Sequence, residues 1–136
     1  MQARAFYICF VFACMIIAAP VFAQEGHPLV GSWHGNWGTS TTDRTDFTLI
    51  MDWDGKAISG VVNPGFEQMP LQNAKLNPKD WTVHFEIDRK EKSGSTARCL
   101  IDGKIDKLGS DRRTLTGTYT CGATKGDFKL TRDRDY

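Results

Sequence analysis

From residue 29 onward, apolar and polar residues alternate in short runs separated by Gly, Asp, Asn and Pro, and no stretch repeats its apolar residues at a helical spacing. A two-residue period sends successive side chains to opposite faces of a strand, so a chain written this way buries one face as a sheet. Strands are predicted over 29–37, 45–53, 56–62, 70–76, 81–88, 96–106, 113–121 and 124–132. Short connections favour antiparallel neighbours. The expected fold class is all-β: an eight-stranded up-and-down meander closed into a small barrel.

Register tests this reading, because a one-residue slip would turn every apolar side chain to the wrong face. Folding about Asp54-Gly55, a two-residue hairpin signal, pairs Met51 with Ile58, Leu49 with Gly60 and Phe47 with Val62. A turn about Ser110 pairs Ile105 with Leu115, Gly103 with Gly117, Ile101 with Tyr119 and Cys99 with Cys121. A Gly122-Ala123 turn then sets Tyr119 opposite Gly126, Gly117 opposite Phe128 and Leu115 opposite Leu130. In all three, one face collects the apolar set. The remaining hairpin, turning at Asn77 to Asp80, pairs Leu76 with Trp81 and Ala74 with Val83 but leaves Gln72 inward beside Phe85. A bulge or a polar interior contact is needed there. The glycines within strands, Gly31, Gly35, Gly60, Gly103 and Gly117, are expected at sharp bends or beneath large rings.

Ahead of this domain, residues 1–23 read as a cleavable signal peptide. Arg4 is followed by an apolar run from Ala5 to Ala19, and Val21-Phe22-Ala23 supplies a small-residue cleavage pattern before Gln24. Pro20 interrupts the run and no second apolar stretch of spanning length follows, which disfavours a membrane anchor. A lipid on Cys14 would leave the apolar Met15 to Phe22 stretch on the mature chain. Removing 23 of the 136 residues leaves 113, enough for one barrel domain over 24–136. Arg4 departs with the leader, so the 17 basic residues fall to 16 and balance the 16 acidic ones. A neutral domain without a basic stripe has no electrostatic footprint for nucleic acid. Cys9 and Cys14 also leave, and the pair that remains, Cys99 and Cys121, is expected to form a disulfide in a periplasmic or extracellular destination.

Gly31-Ser32-Trp33 at the start of the first strand resembles the Gly-x-Trp signature of the calycins, the lipocalin, fatty-acid-binding and avidin group. The resemblance implies that Trp33 closes the narrow end of the barrel beneath a basic side chain from the last strand, and Arg132 in Leu130-Thr131-Arg132 stands in that place. Chain length and the Asp-Gly-x-x-Ile-Ser-Gly hairpin are similar to avidin. Gly35 and Val62, however, occupy positions where the avidin pattern has Asn and Tyr, so biotin is not the expected ligand. The chain is also similar to small secreted bacterial barrels of uncharacterised role that carry Trp-x-Gly-x-Trp at one end and Phe-x-Leu-Thr-Arg at the other, here Trp33 to Trp37 and Phe128 to Arg132.

Candidate chemistry is sparse. His34 and His84 fall on outward positions and His27 near the mature N-terminus, while Asp43, Asp54, Asp80, Asp106 and Asp111 occupy turn positions suited to local hydrogen bonding. No nucleophile elbow or phosphate loop is present, so neither catalysis nor a cofactor is expected. The inward aromatics Trp33, Trp37, Phe47, Trp81, Phe85, Tyr119 and Phe128 either fill the barrel or line a pocket. Connections 38–44, 63–69 and 89–95 fall at one end and mark a candidate mouth. The ligand-binding candidates there are Trp37, Phe47, Val62, Gln72, Phe85, Ile101 and Tyr119, with Tyr119 and Gln72 supplying the polar contacts. The expected function is an exported, non-catalytic barrel binding a small, mostly apolar molecule at this loop-rich end. The alternative is a secreted interaction or inhibitor module with a packed interior, meeting a protein through the same three loops and their charges at Arg44, Glu67, Arg89, Lys90, Glu91 and Lys92.

Overall fold

The computed structural model describes residues 27–134; the expected signal peptide, its cleavage point after Ala23, Cys9 and Cys14 lie outside the described residues. Nine strands make up the described fold: β1 Gly31–Gly38, β2 Arg44–Trp53, β3 Ile58–Val62, β4 Met69–Pro70, β5 Gln72–Asn77, β6 Thr82–Lys90, β7 Thr96–Asp106, β8 Thr114–Cys121 and β9 Thr124–Arg132. All pairings are antiparallel, and the sheet order is β4-β3-β2-β1-β9-β8-β7-β6-β5. First and last strands therefore pair, and the two edges of the sheet, β4 and β5, are consecutive in the chain. Only Leu71 separates them, and its amide donates to the Gly60 carbonyl at 2.9 Å. The barrel is nearly closed. The ninth strand arises because the run predicted as one strand over 70–76 leaves β3 at Pro70 and joins β6 from Gln72.

Alternation produces the core as expected. On β2, Phe47, Leu49 and Met51 point inward; on β6, Val83, Phe85 and Ile87; on β7, Cys99, Ile101 and Ile105. Among the described residues no charged side chain is buried. Each fully buried ring or branched aliphatic contributes about 1.5–3 kcal/mol relative to exposure. The registers of β7 with β8 and of β8 with β9 are those expected, including Cys99 opposite Cys121. These two form a disulfide with Cα atoms 4.1 Å apart, a bond compatible with an exported protein.

Two hairpins differ from expectation by two residues, a shift that preserves the inward face. Trp53, not Met51, pairs with Ile58, and Leu49 with Val62. The cause is the Asp54 carboxylate, which accepts hydrogen bonds from the amides of Lys56 and Ala57, both at 2.7 Å, and so holds a longer turn than Asp54-Gly55 alone would make. Likewise Leu76 pairs with Val83 rather than Trp81. Trp81 sits in the turn at φ +59°, where the Asp80 carboxylate binds the Thr82 amide and hydroxyl and the Trp81 carbonyl accepts from Ile105 at 3.0 Å.

The bulge required near Gln72 is present, with Asn73 at φ +50° and the register shifting between Gln72 and Lys75. It corrects the placement of Gln72, which pairs with Glu86 on the outer face. Its amide donates to Asp88 at 2.7 Å, and its carbonyl oxygen accepts from Arg98 at 3.0 Å.

Candidate functional site

At the loop-rich end, Trp37, Phe47, Val62, Phe85, Ile101 and Tyr119 do occupy one half of the interior, but they fill it. All six are more than nine-tenths buried. The Trp37 ring stacks on Phe47 at 4.7 Å and meets Tyr119 at 5.4 Å. Tyr119 in turn lies over Gly126, its hydroxyl oxygen 2.6 Å from where a Cβ would be, and the Phe128 ring lies as close, at 2.8 Å, over Gly103. Glycine here admits rings instead of leaving space for a guest. Arg89 covers Trp37 at 5.9 Å from the ring centroid, while Arg44 bridges Asn36 and Asp127 beside it. Burial raises the Tyr119 pKa above the usual phenol value, with Arg89 opposing.

The opposite end carries turns 54–57 and 78–81, but also the seven-residue connection 107–113, so loop length does not single out a mouth. That end is closed by the segment before β1. Three donors, two from strands and one from the 107–113 connection, converge on successive carbonyls: Trp33 Nε1 on Leu29 at 2.9 Å, Arg132 Nε on Val30 at 2.8 Å and Arg113 Nη1 on Pro28 at 3.0 Å. Trp33 and Leu29 are buried, and Trp33 stands opposite Arg132 across β1 and β9. Gly31 makes this closure possible. Its φ is +128°, and a Cβ there would stand 2.8 Å from the Arg132 guanidinium nitrogen.

A cleft opens where the barrel fails to close. β4 pairs only with Val61 and Val62, so the first half of β3 faces β5 without a strand between them. The gap is a cavity of about 650 Å³, walled by Ala57 and Ile58 on one side and by Ala74, Lys75 and Leu76 on the other. Trp53, Lys56, Pro78, Trp81, His27 and Pro28 complete it. His27 stacks on Trp53 at 4.5 Å, and burial pushes its pKa below the ordinary imidazole value. Trp53 remains 40% exposed, which is unusual for a residue with the inward phase of Phe47, Leu49 and Met51.

The registers expected from the sequence leave no room for this cleft. Pairing Met51 with Ile58 put Trp53 against the turn, and pairing Trp81 with Leu76 put Trp81 inside the barrel. The signal available was phase, since Trp53 continues the inward face of β2.

The three histidines are apart. His27 faces Trp53, His34 pairs with Asp133 at 2.7 Å, and His84 lies on the outer face between Asp102 at 2.7 Å and Glu86 at 3.1 Å. Burial opposes the charge on His84, but hydrogen bonds to Asp102 and Glu86 outweigh it and raise its pKa above the ordinary value. Arg98 ties Glu86 to Asp88 and Gln72, so β5, β6 and β7 share one polar network on the outer face. Compared with protein-family models, with curated proteins and with solved structures, the chain matches none.

Proposed function

We propose that this is an exported, non-catalytic, calycin-like barrel that binds a small, mostly apolar molecule, and that the molecule lies in the seam between β3 and β5 instead of among the rings of the loop-rich end. One observation carries the reading: the seam cleft holds two tryptophans and an aliphatic floor open to solvent, while the loop-rich half is occupied by its own side chains. Apolar lining of this extent around a concave site is what small-molecule pockets have in common. The calycin likeness is supported by the pairing of first and last strands and by Trp33 opposite Arg132.

Native mass spectrometry of protein taken from its own compartment tests the reading. A retained small molecule that is lost in Trp53→Ala and kept in Tyr119→Phe is expected. Bare chain mass, together with an unchanged melting temperature across a library of apolar compounds, would overturn it.

A second reading, an interaction or inhibitor module, is favoured by Phe66. It projects fully exposed from the 63–68 loop above a packed interior. Under that reading, Phe66→Ser abolishes capture of a partner protein and Trp53→Ala leaves it intact.

A further inference from the structure

Resting on the reading that the seam cleft binds an apolar molecule, we propose that its ligand is an amphiphilic anion, with an apolar body against Trp53, Ile58, Leu76 and Trp81 and an acidic head held between Lys56 and Lys75. The two lysines come from opposite lips of the cleft, Lys56 from the β2–β3 turn and Lys75 from β5, and no carboxylate lines it. The domain expected after cleavage is neutral, so a cleft with two cations and no acid is a local arrangement and not the by-product of a basic surface.

Lys75 stands opposite His84 and shares a smaller outer pocket with Asp102, whose carboxylate is paired to that histidine; the acids that flank the two lysines in the chain serve their own turns. Asp54 accepts from the amides of Lys56 and Ala57, and Asp80 from the amide and hydroxyl of Thr82. Both carboxylates are thereby occupied by their own turns. Among the described residues neither Lys56 nor Lys75 takes part in an ion pair. His27 supplies no third charge, since its ring is stacked on Trp53 and its burial favours the neutral form. The site thus joins an aromatic and aliphatic wall to two ammonium groups with no partner inside the cleft, and lysine stems themselves add apolar surface on the way to the head.

The test uses the domain from Gln24 to Tyr136 and three probes below their micellar concentrations: dodecanoate, dodecanol and dodecyltrimethylammonium. Tryptophan fluorescence and calorimetry report binding. Dodecanoate is expected to bind about tenfold more tightly than dodecanol, each exposed lysine contributing roughly a two- to fivefold factor. The ammonium probe is expected to bind least. The double variant Lys56→Gln/Lys75→Gln should close the gap between dodecanoate and dodecanol, with the melting temperature unchanged. Equal affinity for dodecanoate and dodecanol in the unsubstituted protein overturns the anion assignment and leaves cleft binding standing. Failure of all three probes to bind a folded domain overturns both.

Discussion

The indole nitrogen of Trp33 donates a hydrogen bond to the carbonyl oxygen of Leu29 at 2.9 Å, and both residues are buried. With Arg113 on Pro28 and Arg132 on Val30, this bond fixes the segment that closes one end of the barrel and carries His27 into the wall of the seam cleft. Barrel closure and the candidate site are therefore mechanically joined.

Trp33→Phe keeps a ring but removes the donor, leaving the Leu29 carbonyl unpaired in the interior. The expected loss is about 1–3 kcal/mol by urea denaturation. The stacking of His27 on Trp53 should loosen as well, read as a change in Trp53 fluorescence. Unaltered stability would mean that the closing segment is held without this bond.

Gly126→Ala places a methyl group against the Tyr119 ring and the Gly38 carbonyl, both of which lie too near for it. Overpacking of this kind costs about 1–3 kcal/mol. Tyr119→Phe, by contrast, should leave cleft binding unchanged. Weakened binding in Tyr119→Phe would return the site to the loop-rich end.

Replacing Cys99 and Cys121 together by Ala removes a link that spans 22 residues of sequence. Chain entropy puts the loss at about 3 kcal/mol. The register should survive, because Ile101 opposite Tyr119 and Ile105 opposite Leu115 still require it. Retained strand signal in the far-ultraviolet spectrum, with a lowered denaturation midpoint, is the expected outcome.

Stability should depend on pH through His84. Its pKa is raised in the folded protein, so its contribution is complete below the unfolded value of about 6.5 and is lost as pH rises through the folded one. His84→Gln should flatten the fall in melting temperature that sets in above about pH 6.5. An NMR titration placing His84 below the ordinary imidazole value of about 6.5 would contradict this assignment.

The legible part of this fold was the part set by local phase. Alternation assigned the faces of β2, β6 and β7, and the joined demands of both faces and two cysteines fixed the β7–β8 and β8–β9 registers. Turn chemistry was harder to read. Asp54 and Asp80 each lengthen a turn through side-chain hydrogen bonds, and a two-residue slip leaves the inward pattern intact, so phase alone could not detect it. Gln72 was misplaced because a bulge moves one residue across the sheet without any mark in composition. The seam was not legible either, because it depends on where a continuous run of residues parts from β3 and joins β6.

Trp81 gives the sharpest test of the seam's construction. Its φ of +59° is a conformation that bulky residues rarely adopt, and it is held there from both sides: Asp80 binds Thr82, and the Trp81 carbonyl accepts from Ile105. The left-handed conformation costs an L-residue roughly 1–2 kcal/mol and costs glycine almost nothing. Elsewhere glycine is less stable than alanine by about 0.5–1 kcal/mol, through the entropy it loses on folding. At position 81 the order should invert, with Trp81→Gly more stable than Trp81→Ala by about 0.5–1 kcal/mol. Both variants lose the indole that walls the cleft, so both should bind dodecanoate more weakly, and by similar factors. Denaturation of the pair side by side separates the two roles. Alanine outperforming glycine would show that the turn relaxes once the ring is gone, and that the ring's packing against the cleft, not the turn, sets the left-handed backbone.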